Sequence, residues 1–393
     1  MENFVYYNPV KVIFGVGSLN NIGVEAAIYG KKVMLVSYEN PTFFENTINR
    51  IHNSLKENNV EYIDYFGVTA NPLLSQAKKG VEICKENAME LVIGLGGGSV
   101  MDCAKIIAAG VVYPYDIEQM IMFSHSDITS IPPNDSLPTV MIPTLPATGS
   151  EMNPTAVITD DKTMKKSYVW EPSCLYPKAA IMDPELTVSL PPYQTACGAF
   201  DIIAHVIEAY LNGRPDMNLT LQEHMQEGVV KAVMETLPVV WENPDDIQAR
   251  GVLMWAASIA LNGRLTSGTF GFTPMHQMGH VLSAQFGATH GATLACMMPA
   301  WMRYFVNRTD NGKYVQLTER IFGCDLSTAA NQHEEMMRSY GVQTRISQFG
   351  VKECDIERLT DMVVAVSFGH DGKLVGNPQM ERNDIWEIYK SAF

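Results

Sequence analysis

The first half of the chain alternates short apolar runs with longer amphipathic stretches. A run such as Val33–Ser37, apolar at nearly every position, is typical of a strand buried on both faces of a sheet. Strands that alternate with helices favour parallel pairing in a doubly wound α/β fold. The predicted strands are Val33–Ser37, Glu61–Phe66 and Glu90–Leu95, the predicted helices are Phe43–Asn58, Ser75–Asn87 and Val100–Ala109, and further short apolar runs lie at Thr139–Ile142, Ala156–Thr159 and Ala179–Met182.

Beyond Pro191 the pattern changes to long windows of helical periodicity with almost no strand-like alternation. Pro191 and Pro192 precede the first window, and proline suits the first turn of a helix. We therefore expect an α/β domain over residues 1–189, an all-helical domain over residues 190–393, and a small-molecule site in the cleft between them. The predicted helices of the second domain are Tyr193–Leu211, Leu221–Thr236, Ile247–Asn262 and Cys296–Val306.

Composition excludes several classes of function. The chain has 393 residues, of which 46% are hydrophobic and 18% charged, as expected for a globular protein. Its net charge of −15, without a basic cluster, disfavours nucleic acid as a partner. No apolar run approaches the roughly 20 residues that span a bilayer, and no signal-peptide pattern opens the chain. The seven cysteines are scattered without a CxxC spacing, which indicates reduced thiols and a cytoplasmic protein.

A glycine turn follows the third predicted strand. Gly96, Gly97 and Gly98 are consecutive, and Ser99 leads into the next predicted helix, which carries Asp102. Without Cβ atoms the turn lets a ligand approach the backbone, and the free N–H groups of the following helix favour a diphosphate. The segment lacks both the third spaced glycine of GxGxxG and the lysine of a Walker A motif. A tight turn without a ligand is the alternative interpretation.

A second loop also follows a predicted strand and carries three hydroxyl groups. Thr144, Thr148 and Ser150 could donate hydrogen bonds to phosphate or ribose oxygens, and Lys166 could add a cation. Taken alone, such a loop is more often an ordinary polar loop, and a single lysine is usually a solvated surface residue.

Five residues form a possible metal site. Asp201 and His205 are four residues apart in a predicted helix, as are His276 and His280, and His290 follows ten residues later. Ligands one helical turn apart can bind one metal ion. Taken alone, Asp201 and His205 could instead be an ordinary hydrogen-bonded pair, and His276 and His280 an ordinary core or surface pair. Four ligands are needed from five candidates, and spacing does not decide which is left out. One carboxylate with three imidazoles suits Fe(II) or Zn(II).

These motifs, in this order and across essentially the whole chain, resemble the iron-dependent (group III) alcohol dehydrogenase family. The loop from Leu145 to Glu151 is most similar to its butanol dehydrogenase and aldehyde reductase branch. The resemblance rests on Val12-Ile-Phe-Gly15-Val-Gly17, Gly96-Gly-Gly-Ser99-x-x-Asp102-x-x-Lys105, Asp183-Pro184, Gly198-x-x-Asp201-x-x-x-His205-x-x-Glu208, and His276-x-x-x-His280 with His290-Gly291.

The resemblance implies a dehydroquinate synthase-like architecture, in which a dinucleotide-binding domain precedes a helical domain. It also implies a single divalent metal in the cleft, Fe²⁺ or alternatively Zn²⁺, and NAD(P) as coenzyme. By position, His280 is similar to a non-ligand histidine near the substrate and the nicotinamide. The implied metal ligands are Asp201, His205, His276 and His290, and the implied coenzyme residues are Gly96, Gly97, Gly98, Ser99, Asp102, Thr144, Thr148, Ser150 and Lys166.

The resemblance further implies reversible hydride transfer between a primary alcohol, or its aldehyde, and NAD(P), in a homodimer or larger oligomer. His280 is the candidate for relaying the hydroxyl proton, or alternatively only positions the site. Rival functions are a lyase or phosphate-substrate dehydrogenase of the same fold, a metal-dependent hydrolase, and a non-enzymatic sensor. A phosphate substrate would need clustered cations, and the arginines and lysines between Asp201 and His290 are not clustered.

The segment after the first predicted strand bears on coenzyme preference. It carries Tyr38 and Glu39, and it has neither the acidic residue usual at position 38 in NAD-binding relatives nor the glycine run of the NADP-using branch. Glu39 would repel a 2′-phosphate if it faces the ribose, and Tyr38 could stack on the adenine. The branch favours NADP and the local chemistry favours NAD, so the choice stays open here.

Overall fold

A computed structural model describes residues 1–126, 129–214, 216–269, 271–306, 308 and 312–393. The first half holds the strands β1 (Lys11–Phe14), β2 (Lys32–Tyr38), β3 (Glu61–Val68), β4 (Leu91–Gly96), β5 (Thr139–Pro143), β6 (Thr155–Thr159), β7 (Lys166–Trp170) and β8 (Ala179–Met182). Its helices are α1 (Ile22–Tyr29), α2 (Glu45–Glu57), α3 (Leu74–Glu86) and α4 (Gly98–Val112).

Six strands form one sheet in the order β1-β8-β5-β4-β2-β3, and every pair in it is parallel. This confirms the predicted doubly wound parallel sheet. The run at Ala156–Thr159 lies outside that sheet, because β6 pairs with β7 in a separate antiparallel hairpin. The edge strand β1 was not predicted: it is short and partly exposed, so it lacks the apolar run of a central strand.

The strand order reverses between β2 and β4, since β3 lies on one side of β2 and β4 on the other. In parallel α/β sheets a ligand crevice lies at the carboxyl ends of the strands at such a reversal. Val36 of β2 pairs with Gly94 of β4, and Gly96 pairs with Pro143 of β5. The three strands therefore end side by side, which brings Tyr38, the glycine turn and the loop after β5 to one edge.

The second half is helical, as predicted, and its described residues contain no strand beyond isolated bridges. The last strand of the large sheet ends at Met182 and the first long helix begins at Pro192, so the predicted boundary at residue 189 falls between them and stays a prediction. The helices are α5 (Pro192–Leu211), α6 (Thr220–Glu242), α7 (Ile247–Leu261), α8 (Pro274–Phe286), α9 (His290–Phe305), α10 (Gly312–Leu317), α11 (Leu326–Ser339), α12 (Ile356–Ser367) and α13 (Arg382–Ala392).

Helix α5 runs through the centre of the helical half. It is buried from Thr195 to Leu211 without interruption, because it is apolar on all sides and packs against α6, α7 and α9. Polar residues on such a helix are carried into the interior, and Asp201 and His205 are among them. Across the described parts of the chain, no helix has the length and apolar character needed to cross a membrane.

Candidate active site

Three helices bring together four of the five residues predicted as possible metal ligands. Asp201 and His205 lie on α5, His276 lies in the first turn of α8, and His290 is the first residue of α9. Each contributes one possible ligand atom, and these atoms all lie within 4.8 Å of one another. Asp201, His205 and His276 are buried, and His290 is partly exposed. We call these four residues the quartet.

Two glycines allow the close packing that forms the quartet. A Cβ on Gly291, the second residue of α9, would stand 2.0 Å from the carbonyl oxygen of Cys197 on α5. A Cβ on Gly198 would stand 2.3 Å from the carbonyl oxygen of Pro146, in the loop after β5. Only glycine therefore lets α9 reach α5 beside Asp201 and lets α5 reach the edge of the sheet.

Burial sets the charge state of the quartet. It lowers the pKa of His276 to about 3, with the Lys166 ammonium acting in the same direction, and it holds the pKa values of His205 and His290 well below their usual range. These imidazoles are neutral at pH 7, which is the form that binds a metal. Burial also raises the pKa of Asp201 to about 8, against the opposing effect of Lys166. A bound cation would reverse that shift and favour the carboxylate.

Each quartet side chain has a buried polar atom without a hydrogen-bond partner. Buried polar groups are nearly always paired, so four unpaired atoms in one group of neighbouring side chains need an explanation. A divalent cation would bind one atom of each side chain, because neutral imidazole nitrogens and one carboxylate form a donor set that Fe(II) and Zn(II) accept. On His290 the nitrogen nearest the carboxylate is Nε2, which lies 3.7 Å from Oδ1 of Asp201. The residues present therefore fit such an ion. The unpaired atoms are Oδ1 of Asp201, Nδ1 of His205, Nε2 of His276 and Nδ1 of His290.

Glu208 contacts the quartet directly, and the sequence prediction gave it no role. Its Oε2 pairs with Nδ1 of His276, and its Oε1 accepts hydrogen bonds from the backbone N–H groups of Met275 and His276. The pairing occupies Nδ1 of His276 and leaves Nε2 facing the quartet. The available signal was spacing: Glu208 follows His205 by three residues and Asp201 by seven, so all three share one face of a helix that is otherwise apolar.

His280 lies next to the quartet but is not one of its members. It follows His276 by one turn of α8, and its ring centroid is 5.2 Å from that of His290. The side chain is buried, its Nδ1 has no hydrogen-bond partner, and burial holds its pKa well below the usual range. It lines the same cleft as His205, His276 and His290.

A cleft of about 510 Å³ joins the sheet edge to the helical half. Its walls include six of the predicted coenzyme residues together with three histidines of the quartet. A coenzyme site and a metal site would therefore open into one space. The six residues are Gly98, Ser99, Asp102, Thr148, Ser150 and Lys166, and the predicted coenzyme residues outside these walls are Tyr38, Glu39, Gly96, Gly97 and Thr144.

The glycine turn and the loop after β5 are in direct contact. Helix α4 begins at Gly98, so its unpaired N–H groups and positive dipole end face the cleft. A Cβ on Gly98 would stand 2.4 Å from the hydroxyl oxygen of Thr148. The backbone N–H of Thr144 donates to the carbonyl oxygen of Gly96 at 3.0 Å, so Thr144 supports the turn from behind the cleft wall.

Both halves of the chain match sequence models of one family. Residues 9–184 match the model described as iron-containing alcohol dehydrogenase, and residues 195–393 match the C-terminal model of the Fe-containing alcohol dehydrogenase family. The chain belongs to the iron-containing alcohol dehydrogenase family. The resemblance inferred from its motifs is thereby confirmed.

Individual relatives align over nearly their full length. NADH-dependent butanol dehydrogenase A of Clostridium acetobutylicum is 36% identical, with 100% of both chains covered. NADPH-dependent aldehyde reductase YqhD of Escherichia coli is 29% identical over 91% of this chain and 92% of its own. The crystal structure of NADH-dependent butanol dehydrogenase A from Thermotoga maritima superposes with a TM-score of 0.91 at 35% identity, covering 100% of this chain and 99% of that one.

Membership of the iron-containing alcohol dehydrogenases confirms the predicted fold class and enzyme class. The chain is an NAD(P)-dependent alcohol dehydrogenase or aldehyde reductase, and the prediction of NAD(P) and iron as cofactors is confirmed with it. The roles of individual residues in the cleft stay predictions.

Lys166 lies between the two parts of the cleft. Its Nζ donates a hydrogen bond to Oδ1 of Asn71 at 2.7 Å. Burial lowers the pKa of Lys166 to about 8, while the carboxylates of Asp102 and Asp201 act in the opposite direction. The side chain is thus a buried cation close to both carboxylates, whereas the sequence alone favoured a solvated surface residue.

Tyr38 packs on the glycine turn. Its hydroxyl oxygen accepts a hydrogen bond from the backbone N–H of Gly97 at 3.2 Å, and its ring stacks on Phe44 with the centroids 6.3 Å apart. Glu39, the next residue, is exposed at the same end of β2. The predicted stacking of Tyr38 on an adenine ring stays a prediction.

Replacing Glu208 by glutamine is expected to weaken metal binding by about 10- to 100-fold, the usual effect of losing a partner that orients a ligand histidine. The amide keeps the size of the side chain but replaces one of the two oxygens that pair with Nδ1 of His276 and accept from the backbone N–H groups of Met275 and His276. Competition of the purified variant with a chelator of known affinity measures the change. Glu235→Gln, on α6 and remote in sequence from the quartet, serves as the control. An unchanged affinity in Glu208→Gln would mean that His276 is oriented by other contacts.

Proposed function

We propose that this enzyme reduces primary aldehydes such as butanal with NADH, and oxidises the corresponding alcohols in reverse, at one divalent metal held by the quartet. The observation that carries the proposal is the shared cleft: the quartet histidines and the N-terminus of α4 open into the same space. A metal site alone would fit a hydrolase, and a glycine turn alone would fit many nucleotide-binding proteins. A metal site and a glycine turn that open into one cleft fit a dehydrogenase.

The chain's own residues bind the metal and the coenzyme and orient the two reactants. When bound, the metal supplies a Lewis acid for the substrate oxygen, and the coenzyme supplies or accepts the hydride. His205, His276 and His290 offer neutral nitrogens, and Asp201 contributes the single negative charge of the quartet. The N-terminus of α4 binds the coenzyme diphosphate through backbone N–H groups. Orientation of the two reactants in one cleft supplies much of the rate enhancement.

His280 is the proposed proton relay. It is the cleft histidine that stands beside the quartet without belonging to it, so its ring is available to the substrate hydroxyl. Burial keeps the imidazole neutral at pH 7, and a neutral imidazole accepts a proton from an alcohol. In the direction of aldehyde reduction the same ring passes a proton taken up from solvent to the product oxygen.

The direct test is oxidation of NADH with butanal as substrate, followed by absorbance at 340 nm. Metal-loaded enzyme is expected to turn over at an ordinary rate for a dehydrogenase, on the order of 1–10³ s⁻¹. Absence of oxidation with butanal and with a panel of shorter and longer aldehydes, in folded and metal-loaded protein, would contradict the proposal.

Coenzyme preference is expected to be for NADH. Glu39 follows β2 at the strand reversal, where the adenosine ribose of a dinucleotide lies in such folds, and its carboxylate would repel a 2′-phosphate. Glu39→Gln is expected to raise kcat/KM for NADPH roughly tenfold, which corresponds to about 1.4 kcal/mol. The value of kcat/KM for NADH should stay nearly unchanged. Parallel kinetics with both coenzymes measure the ratio. A wild-type preference for NADPH would contradict the assignment of Glu39.

A homodimer or larger assembly in the cytoplasm completes the proposal. The outer edge of β1 is unpaired in the sheet, and large apolar side chains beside it are exposed, including Phe14, Val16 and Trp255. Such a surface favours association of copies. All seven cysteines are free, as suits a reducing compartment. Light scattering on the purified enzyme measures its mass, and a monomer at micromolar concentration would contradict the assembly.

A further inference from the structure

Lys105 is a fully buried cation behind the wall of the coenzyme site. Its Nζ donates hydrogen bonds of 2.8 Å to three oxygens: the hydroxyl of Ser150 and the backbone carbonyls of Asn153 and Thr155. A fourth contact reaches Oδ1 of Asn153 at 3.3 Å. Lys105 does not line the cleft, so it cannot touch a ligand there.

The three acceptors belong to one stretch of chain, residues 148–155, which we call the cradle segment. It begins in the loop after β5 and ends in β6, and it carries Thr148 and Ser150 into the cleft wall. Within it, the side-chain amide of Asn153 donates to the carbonyl oxygens of Thr148 and Gly149. Because Lys105 holds Asn153, it also restrains the residues that face the cleft.

Asp102 attaches the same stretch from one turn earlier on α4. Its Oδ1 accepts a hydrogen bond from the hydroxyl of Ser150 at 2.6 Å, and its Oδ2 accepts one from the backbone N–H of Val157 at 3.0 Å. The hydroxyl of Ser150 thus accepts a hydrogen bond from Lys105 and donates one to Asp102. Since α4 starts at Gly98, the glycine turn, α4 and the cradle segment form one hydrogen-bonded unit.

A buried lysine is costly unless its ammonium group is fully paired. An apolar side chain at position 105 would fill the same volume without that cost, but it would leave two backbone carbonyls and one hydroxyl without this partner. The ammonium group of Lys105 therefore contributes by fixing the cradle segment, to which its hydrogen bonds are made. The gap between the glycine turn and Thr148 is narrow, because a Cβ on Gly98 would stand only 2.4 Å from the hydroxyl oxygen of Thr148. A small displacement of the cradle segment would change the space between Thr148 and the glycine turn.

We propose that Lys105 is a positioning residue for coenzyme binding: it fixes the cradle segment against α4, and so sets the gap between the glycine turn and Thr148. The inference rests on the proposed coenzyme site. It predicts a separation of effects, because the quartet lies on α5, α8 and α9 and does not contact Lys105. Losing the ammonium should weaken coenzyme binding and leave the metal in place.

The experiment compares Lys105→Met with Lys85→Met, an exposed lysine on α3 that serves as the matched control. Fluorescence titration gives the Kd for NADH, and elemental analysis gives the metal per chain. We expect Lys105→Met to raise the Kd roughly tenfold and the KM for NADH with it. Its kcat at saturating NADH should stay within about threefold of the wild type, which a general loss of structure would not allow. Lys85→Met should match the wild type.

Asn153→Ala provides a second route to the same result if Lys105→Met does not fold. It removes the amide that links Lys105 to Thr148 and buries no charge, so it should also raise the Kd for NADH with the metal retained. Unchanged Kd values in folded variants, beside a wild type that binds NADH, would overturn the positioning role alone. A metal-loaded wild type that does not bind NADH would overturn the proposed function, and the role of Lys105 with it.

Discussion

His276→Ala is expected to lose its metal and, with it, its turnover. His276 contributes one of four converging ligand atoms, and its Nδ1 is held by Glu208 so that Nε2 faces the other three. Alanine removes that nitrogen and leaves three of the four candidate ligands. Losing a partner that only orients a ligand typically weakens metal binding 10- to 100-fold, so losing the ligand itself should exceed about 100-fold.

The measurement is metal per chain after gel filtration, with circular dichroism to establish that the variant is folded. His370→Ala is the control, because His370 is exposed and lines no part of the cleft. It should retain full metal and full activity. Stoichiometric metal in purified His276→Ala would contradict the assignment of the quartet.

His280→Ala is expected to keep its metal and lose most of its turnover. Its ring lies outside the group of ligand atoms, yet it lines the cleft one helical turn from His276. A positioned general acid or base contributes about 10²- to 10⁴-fold to a rate, and kcat should fall within that range. The two histidines form a matched pair on one helix, both buried, with opposite expected effects on metal content.

The pH profile of kcat distinguishes a proton relay from a residue that only positions the substrate. Removal of a relay should change the shape of the profile, because the titrating group itself is gone, whereas removal of a positioning residue should lower kcat evenly at every pH. Wild-type kcat in His280→Ala would contradict both roles. Loss of metal in that variant would instead make His280 a ligand.

Local sequence patterns predicted the parts of this enzyme that depend on neighbours along the chain. Spacing of four residues placed Asp201 with His205 and His276 with His280, and the glycine turn marked the start of α4. Spacing did not decide which of five candidates stands outside the quartet, since that depends on where three separate helices meet. The family resemblance indicated that His280 is the one that is not a ligand. In the structure the ligand atoms of the other four lie close together.

Contacts between distant residues could not be predicted in the same way. Glu208 and His276 are 68 positions apart, and Lys105 is 45 positions from Ser150. Neither pairing leaves a periodic signal, because each depends on the packing of separate elements. Lys166 was similarly ambiguous: the sequence shows one lysine in a polar stretch, and only the fold buries it between Asp102 and Asp201.

The central claim is that one metal, held by the quartet, supports hydride transfer in the shared cleft. The most direct test is an anaerobic titration of chelator-treated enzyme with Fe(II), and separately with Zn(II), while butanal-dependent oxidation of NADH is followed. Activity should rise in proportion to added metal and level off at one equivalent per chain. Activity that is unaffected by both the chelator and the added metals would contradict the claim.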